Sequence, residues 1–183
     1  MVIVFNLVLS KNITFKGDFI RKMSHQVFVY GTLKRNEPNH HWLTNPDHGC
    51  SKFVSEGHTK YKYPLIIATK YNIPFVLCSP GDGHYVKGEI YTVDDTMLCK
   101  LDILEDHPKW YIREIVDIVV KKYGSNKEEI LQCWLYFLKN FRPDLLRREL
   151  YDNYSSSGAH GLQYLESEED TLDDDEFNNL LKK

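Results

Sequence analysis

No run of this chain is apolar for long enough to cross a bilayer as a helix, which sets aside a helical membrane protein. Cysteine is sparse and scattered. Cys50, Cys78, Cys99 and Cys133 form no CxxC pair, so a disulfide framework is disfavoured and reduced thiols in a cytoplasmic protein are expected. GxSxG and P-loop patterns are missing, and so is any internal repeat. No stripe of Lys and Arg interleaved with aromatic residues stands out, so nucleic-acid binding is not favoured. His40, His41 and His48, with Cys50 close by, lack a familiar ligand spacing such as HExxH, and no metal is expected on them. Cys78 and Cys133 sit in apolar segments where a thiol is inert, which argues against a cysteine nucleophile.

The chain does have 183 residues, enough for one domain with a proper core, and it is rich in aromatics, with 12 Tyr and 9 Phe. Its net charge of -3 hides an asymmetry. Residues 166–183 carry eight acids and two lysines, which leaves the body mildly basic at +3. This segment reads as a disordered acidic tail. At the other end, the apolar opening stretch has no cationic segment before it and no clear cleavage site, so it does not read as a signal peptide. Asp18 weighs against an organellar address. Residues 1–22 are expected to be a dispensable extension before a domain spanning 23–165.

Patterning between these ends is mixed. Strands are expected over residues 27–30, 50–60, 64–69, 73–79, 85–93 and 130–138. Another is expected at YIREIVDIVV, where Ile112, Val116, Ile118 and Val120 alternate with Arg113 and Asp117. Residues 38–43 suit a short helix or turn, PGDG at 80–83 a turn, and residues 124–129 a polar hairpin connection. One clear helix interrupts the strands. Asp94 and Asp95 can cap it, Met97, Leu98, Leu101 and Leu104 recur at helical spacing, and it must stop before Pro108. Pro143 starts a second, short helix. Strands and helices do not alternate regularly. The expected class is α+β, with a mixed, barrel-like sheet of six or seven strands, one central helix and one late short helix.

Three places could carry chemistry. In FVYGTLKR, residues 28–35, a strand breaks at Tyr30, Gly31, Thr32 and Leu33. The turn is either an ordinary edge or a nest of N–H groups for an anionic ligand, with Gly31 free to take a positive φ and to let a ligand approach. In KLDILEDHP, Glu105 lies one turn beyond Leu101, beside the apolar face of the helix. Desolvation there would raise its pKa above the ~4.3 of a free Glu, toward the range of a general base. Glu89, inside an alternating strand, is its rival. The polar loop YSSSGAHG, with Tyr154 and His160, is either a cover for a site or a plain surface connection.

Taken in order, VFVYGTLKRNEPNH at 27–40, the long stretch at 63–113 and YDNYSSSGAHGLQY at 151–164 resemble the gamma-glutamylcyclotransferase-like family, and within it the gamma-glutamylamine cyclotransferase branch. The helix departs from the branch at Ile103 and Leu104 and keeps Asp102. The resemblance implies a small α+β fold that releases 5-oxoproline from a gamma-glutamyl amine, above all gamma-glutamyl-ε-lysine. It implies that Tyr30, Gly31, Thr32 and Leu33 hold the substrate and that Glu105 is the catalytic base. No cofactor or metal is called for, and the only expected partner is the small-molecule substrate. Tyr111, Tyr154 and His160 are expected as walls of the pocket, and Lys34 and Arg35 as bystanders on its rim. Two alternatives stay open: ring closure on another gamma-glutamyl compound, such as a gamma-glutamyl amino acid or glutathione, and a non-catalytic binding module of the same fold.

Overall fold

The computed structural model describes residues 23–122, 124, 127–166 and 178–181. The extension expected over 1–22, most of the tail expected over 166–183 and part of the connection at 124–129 lie outside the described residues.

Seven strands form. They are β1 (Met23–Val29), β2 (Ser51–Thr59), β3 (Leu65–Ala68), β4 (Ile73–Val76), β5 (Lys87–Asp94), β6 (Tyr111–Lys121) and β7 (Glu128–Leu138). A four-residue helix α1 (His41–Thr44) follows β1, and α2 (Asp95–Leu104) joins β5 to β6. The expected late helix is a 3₁₀ turn, Pro143–Arg147. The expectation of one sheet of six or seven strands is met by five. Strands β1-β5-β2-β6-β7 close into a barrel, while β3 and β4 pair apart as a hairpin. The neighbouring pairs are antiparallel, but closure comes from a parallel contact of β1 with β7, Val27 opposite Trp134. The sheet is therefore mixed.

Closing so few strands demands strong curvature, and register shifts supply it. One lies in β1 between Met23 and His25, and one in β2 between Phe53 and Ser55. Val54, the residue skipped at the second, is 41 % exposed.

Successive side chains of a strand face opposite sides of the sheet, and the sequence fills both. Phe28, Ile90, Ile118, Leu135 and Phe137 join one apolar cluster, together with Tyr30 and Tyr154. Their neighbours Val27, Val29, Tyr91, Val93, Tyr136 and Leu138 join the other, where α2 contributes Met97, Leu98 and Leu101. The helix thus covers one face of the barrel wall, and its C-terminus is delivered beside Tyr111 and Tyr136.

Part of the segment expected as a free tail returns to this second cluster. Leu180 is buried there, Arg142 N–H donates to the Leu180 carbonyl at 2.9 Å, and Leu181 bridges Phe141.

Candidate active site

The placement of Glu105 begins with both ends of α2. At its N-terminus Asp94 Oδ1 accepts from Met97 N–H at 2.8 Å, as the sequence leads one to expect of a capping aspartate. At its C-terminus Glu105 is the cap residue, and Asp106 follows in the left-handed region with φ 46°. Asp106 N–H donates to the Ile103 carbonyl at 3.1 Å and His107 N–H to the Asp102 carbonyl at 2.8 Å. This pair of bonds is the Schellman arrangement, here built on an aspartate instead of the usual glycine. The helix therefore stops at a defined residue, and that residue is Glu105.

Asp102, one turn earlier, pins the same helix end to the barrel. Its carboxylate accepts from Arg113 Nε at 2.7 Å, from Arg113 Nη2 at 3.2 Å and from the Tyr136 hydroxyl at 2.7 Å. Arg113 also lies over the Trp134 ring at 4.4 Å. Of the carboxylates expected at this helix end, Asp102 is thus fully engaged.

Glu105 is the opposite case. It is half-buried, and among the described residues its carboxylate takes part in no hydrogen bond or ion pair. Burial alone pushes its pKa up from 4.5 to about 7. Its charge is felt by three tyrosines. Tyr30 is held well above the ordinary range by burial first and by Glu105 second. Tyr111 is raised by burial, then by Tyr30 and Glu105. Tyr136 is raised by burial, by its bond to Asp102 and by Glu105. All three remain phenols at neutral pH, so the carboxylate is bordered by neutral hydroxyl-bearing rings. Tyr111 stacks on Phe75, with centroids 5.8 Å apart and rings 2° from parallel.

Glu89 is more deeply buried than Glu105 and differs from it in company. It accepts from Arg35 N–H at 3.0 Å, Arg35 Nε at 3.0 Å and the Tyr91 hydroxyl at 2.8 Å. Burial pushes its pKa up, but these bonds and the guanidinium charge outweigh burial and leave it below the usual carboxylate range. A carboxylate so held is a poor proton acceptor near neutrality.

The opening turn stands at the end of β1. Lys34 N–H closes it on the Gly31 carbonyl at 3.1 Å, and Asn39 ties Thr32 down twice, through N–H to the carbonyl at 2.9 Å and Nδ2 to Oγ1 at 3.1 Å. The N–H groups of Gly31, Thr32 and Leu33 donate to no other described residue. Three consecutive unspent donors thus stand at a strand end. Tyr30 turns inward instead; its hydroxyl donates to the Tyr136 carbonyl at 3.3 Å. Gly31, though free to take a positive φ, does not take one. It is required because a Cβ there would stand 2.6 Å from Pro74 Cγ.

The expected walls differ in what they do. Tyr154 is fully buried, with its hydroxyl donating to the Asn72 carbonyl at 3.3 Å. His160 stacks beside it, with centroids 6.2 Å apart. Both His160 nitrogens are spent on backbone: Nδ1 accepts from Leu162 N–H at 3.0 Å, so Nε2 carries the proton and donates to the Ser155 carbonyl at 2.8 Å. It braces its loop and is not poised for proton transfer.

Lys34 and Arg35 are not bystanders. Arg35 bridges Glu89 and Glu56, the latter at 2.9 Å. Lys34 is buried, and its ammonium donates to Asn153 Oδ1 at 2.8 Å and to the Tyr154 carbonyl at 2.5 Å. Reading the sequence locally missed this, because two cations after a turn look like a solvated edge.

The other candidates fall elsewhere. Among the described residues no cluster of three or more His, Cys, Asp or Glu could hold a metal ion. His40, His41 and His48 each turn Nδ1 on a backbone carbonyl. Burial pushes the Cys133 thiol up to about 12, away from a thiolate. Two surface clefts of about 310 Å³ each, one by Arg142 and Arg148 and one by His58 and Lys87, are not lined by Glu105 or the opening turn. No helix among the described residues is long and apolar enough to cross a membrane.

Fold and site together define a small barrel protein with an unpartnered carboxylate near a donor-rich turn. Residues 27–156 match the model of the family described as "Gamma-glutamyl cyclotransferase, AIG2-like". The chain belongs to this gamma-glutamyl cyclotransferase family and is a cyclotransferase of it. It is 44% identical over 151 residues to gamma-glutamylaminecyclotransferase C of Danio rerio, covering 82% of this chain and 99% of that one. It is 41% identical to gamma-glutamylaminecyclotransferase of Homo sapiens, covering 75% and 94%. The crystal structure of an AIG2-like protein from Mus musculus superposes with a TM-score of 0.73 at 40% identity, covering 80% of this chain and 99% of that one.

Proposed function

We propose that the chain acts on gamma-glutamyl amines, with gamma-glutamyl-ε-lysine as its preferred substrate, and that Glu105 is the acid/base. The observation that carries this reading is the half-buried, unpartnered Glu105 carboxylate with its pKa near 7. The names of the relatives in Danio rerio and Homo sapiens favour an amine as the leaving group.

The reaction is an intramolecular aminolysis. The substrate α-amine, with a pKa of ~8, must lose a proton before it attacks. With the first proton shed to solvent, Glu105 as carboxylate takes a second one from the nitrogen as it bonds to the γ-carbonyl carbon. The bond from that carbon to the side-chain amine then breaks, and the same proton returns from Glu105 to the departing nitrogen. The products are 5-oxoproline and the free amine. One group serves both steps because both nitrogens are bonded to the same carbon. A base whose pKa lies close to the pKa of the amine transfers the proton with little free-energy change either way.

The turn at Tyr30, Gly31, Thr32 and Leu33 binds the glutamyl moiety through its unspent N–H groups. A donor aimed at the γ-carbonyl oxygen also stabilises the developing oxyanion, worth about 3 kcal/mol per donor. Holding the chain bent, amine against carbonyl, supplies several kcal/mol more through orientation. Tyr111 and Tyr154 wall the site and keep the barrier free of competing water.

A substrate panel followed by 5-oxoproline release tests this. Gamma-glutamyl-ε-lysine should give the highest kcat/KM, and Glu105→Gln should abolish turnover while Glu89→Gln retains it. A preference for glutathione or a gamma-glutamyl amino acid would move the specificity. Full activity in Glu105→Gln with loss in Glu89→Gln would move the base.

A further inference from the structure

Lys34 is the one buried lysine among the described residues, and the proposed chemistry gives it no part. A buried ammonium is costly unless its three protons find acceptors. Two of its acceptors belong to the loop after Leu150: Asn153 Oδ1 at 2.8 Å and the Tyr154 carbonyl at 2.5 Å. Glu37, three residues on, reaches the same loop and accepts from Ser156 N–H at 2.8 Å. Burial pushes the Lys34 pKa below its ordinary value, and Glu37, Glu89 and Glu56 oppose that shift without cancelling it. The backbone N–H of Lys34 meanwhile closes the opening turn on Gly31. One residue therefore holds the donor-rich turn from within and ties it to a loop more than a hundred residues away in sequence.

That loop has other anchors, one of them in the β3–β4 hairpin, whose Pro74 also stands against Gly31 of the turn. Tyr151 N–H donates to the Leu65 carbonyl at 2.8 Å, and Tyr154 reaches Asn72 in the β3–β4 hairpin. The Lys34 and Glu37 hydrogen bonds join it to the turn directly.

We propose that Lys34 is a positioning residue for substrate binding: its ammonium latches the loop at 153–156 onto the opening turn, so that the wall residue Tyr154 and the N–H groups of Gly31 to Leu33 are held in one binding-competent arrangement. The proposal rests on the reading of this turn as the substrate cradle. If the latch is cut, the competent arrangement becomes a fraction of the population, and apparent affinity falls by that fraction while the chemical step is untouched. The signature is a rise in KM with kcat conserved, the reverse of what removal of Glu105 produces.

Lys34→Met keeps the apolar stem and removes the ammonium. It should raise KM by about ten-fold or more and leave kcat within about three-fold, and amide hydrogen exchange at 153–156 should accelerate to match. Lys34→Arg, which can donate to the same acceptors, should recover part of the loss. Asn153→Ala, a change at an exposed position, cuts one bond and should raise KM by a smaller factor; it carries the test if Lys34→Met does not fold. An unchanged KM and unchanged loop exchange in these variants would overturn the latch. So would a loss confined to kcat, which would place the ammonium in the chemistry itself. The exchange measurement needs no turnover, so it judges the latch even if wild type proves inactive on every gamma-glutamyl compound, a result that would sink the functional reading separately.

Discussion

Glu105 and Glu89 are the same side chain in two environments, and the contrast supports the proposal that Glu105 is the base. Glu89 is surrounded by donors and a cation, whereas Glu105 has only the cost of burial. That cost enters stability. The Glu105 pKa rises from 4.5 to about 7 on folding, so the folded protein holds this proton more tightly than the unfolded chain. The associated stabilisation is fully present below about pH 4.5 and is lost as pH rises through about 7, a change on the order of 2–3 kcal/mol. Glu105→Gln escapes the loss. It is expected to exceed wild type in stability by roughly 1–3 kcal/mol at about pH 8, with the advantage gone near pH 4, as read from urea unfolding at each pH. An advantage of the same size at both pH values would show that the carboxylate is not desolvated. Gly31 offers a steric test. Gly31→Ala should cost about 1–3 kcal/mol and raise KM, because the new methyl meets Pro74; adding Pro74→Ala should restore much of both. The desolvation of Glu105 was legible in the sequence from its spacing after Leu101. The true constraint on Gly31 was not, since it comes from a proline in another strand.

The central helix shows how local signals combine into a positioned group. Its start was readable at Asp94, and Asp94→Ala should lower stability by about 1 kcal/mol in thermal or urea unfolding. Its end was readable only as a limit set by Pro108, because the left-handed residue that ends it is Asp106 and no glycine advertises the turn. Asp106→Gly should be neutral or slightly stabilising, whereas Asp106→Val should cost on the order of 1–2 kcal/mol and lower kcat, since it disturbs the helix end that positions the proposed base, Glu105. Hydrogen exchange at the helix C-terminus would separate the two: no difference between the variants would mean that the Schellman end does not place Glu105. The bond of Asp102 to Arg113 and Tyr136 was invisible locally. Arg113 alternates with apolar residues on β6, which suggests an outward charge, and only the pairing of β6 with β7 and the approach of α2 reveal its partner.

Across the fold, the apolar segments of β1, β5 and β7 read correctly as strands, and each fills two clusters, one per face. The partition into a five-stranded barrel and a separate hairpin was not legible. It depends on the parallel contact between Val27 and Trp134, which no local pattern encodes. The same holds for residues 178–181. Charge composition marked them as part of a solvated tail, yet Leu180 sits in the cluster beneath α2. Leu180→Ala should therefore cost about 2–3 kcal/mol in urea unfolding, and a change within about 0.5 kcal/mol would show that this contact does not hold in solution.

The claim on which the mechanism stands is that one carboxylate, Glu105, takes and returns the proton. Its most direct measurement is the pH dependence of 5-oxoproline release from gamma-glutamyl-ε-lysine by wild type and Glu105→Gln. Wild-type kcat/KM should rise with pH on a limb centred near the Glu105 pKa of about 7. Glu105→Gln should lose that limb and at least about 100-fold in kcat. A Glu105→Gln enzyme that folds, turns over at the wild-type rate and keeps the same limb would contradict it.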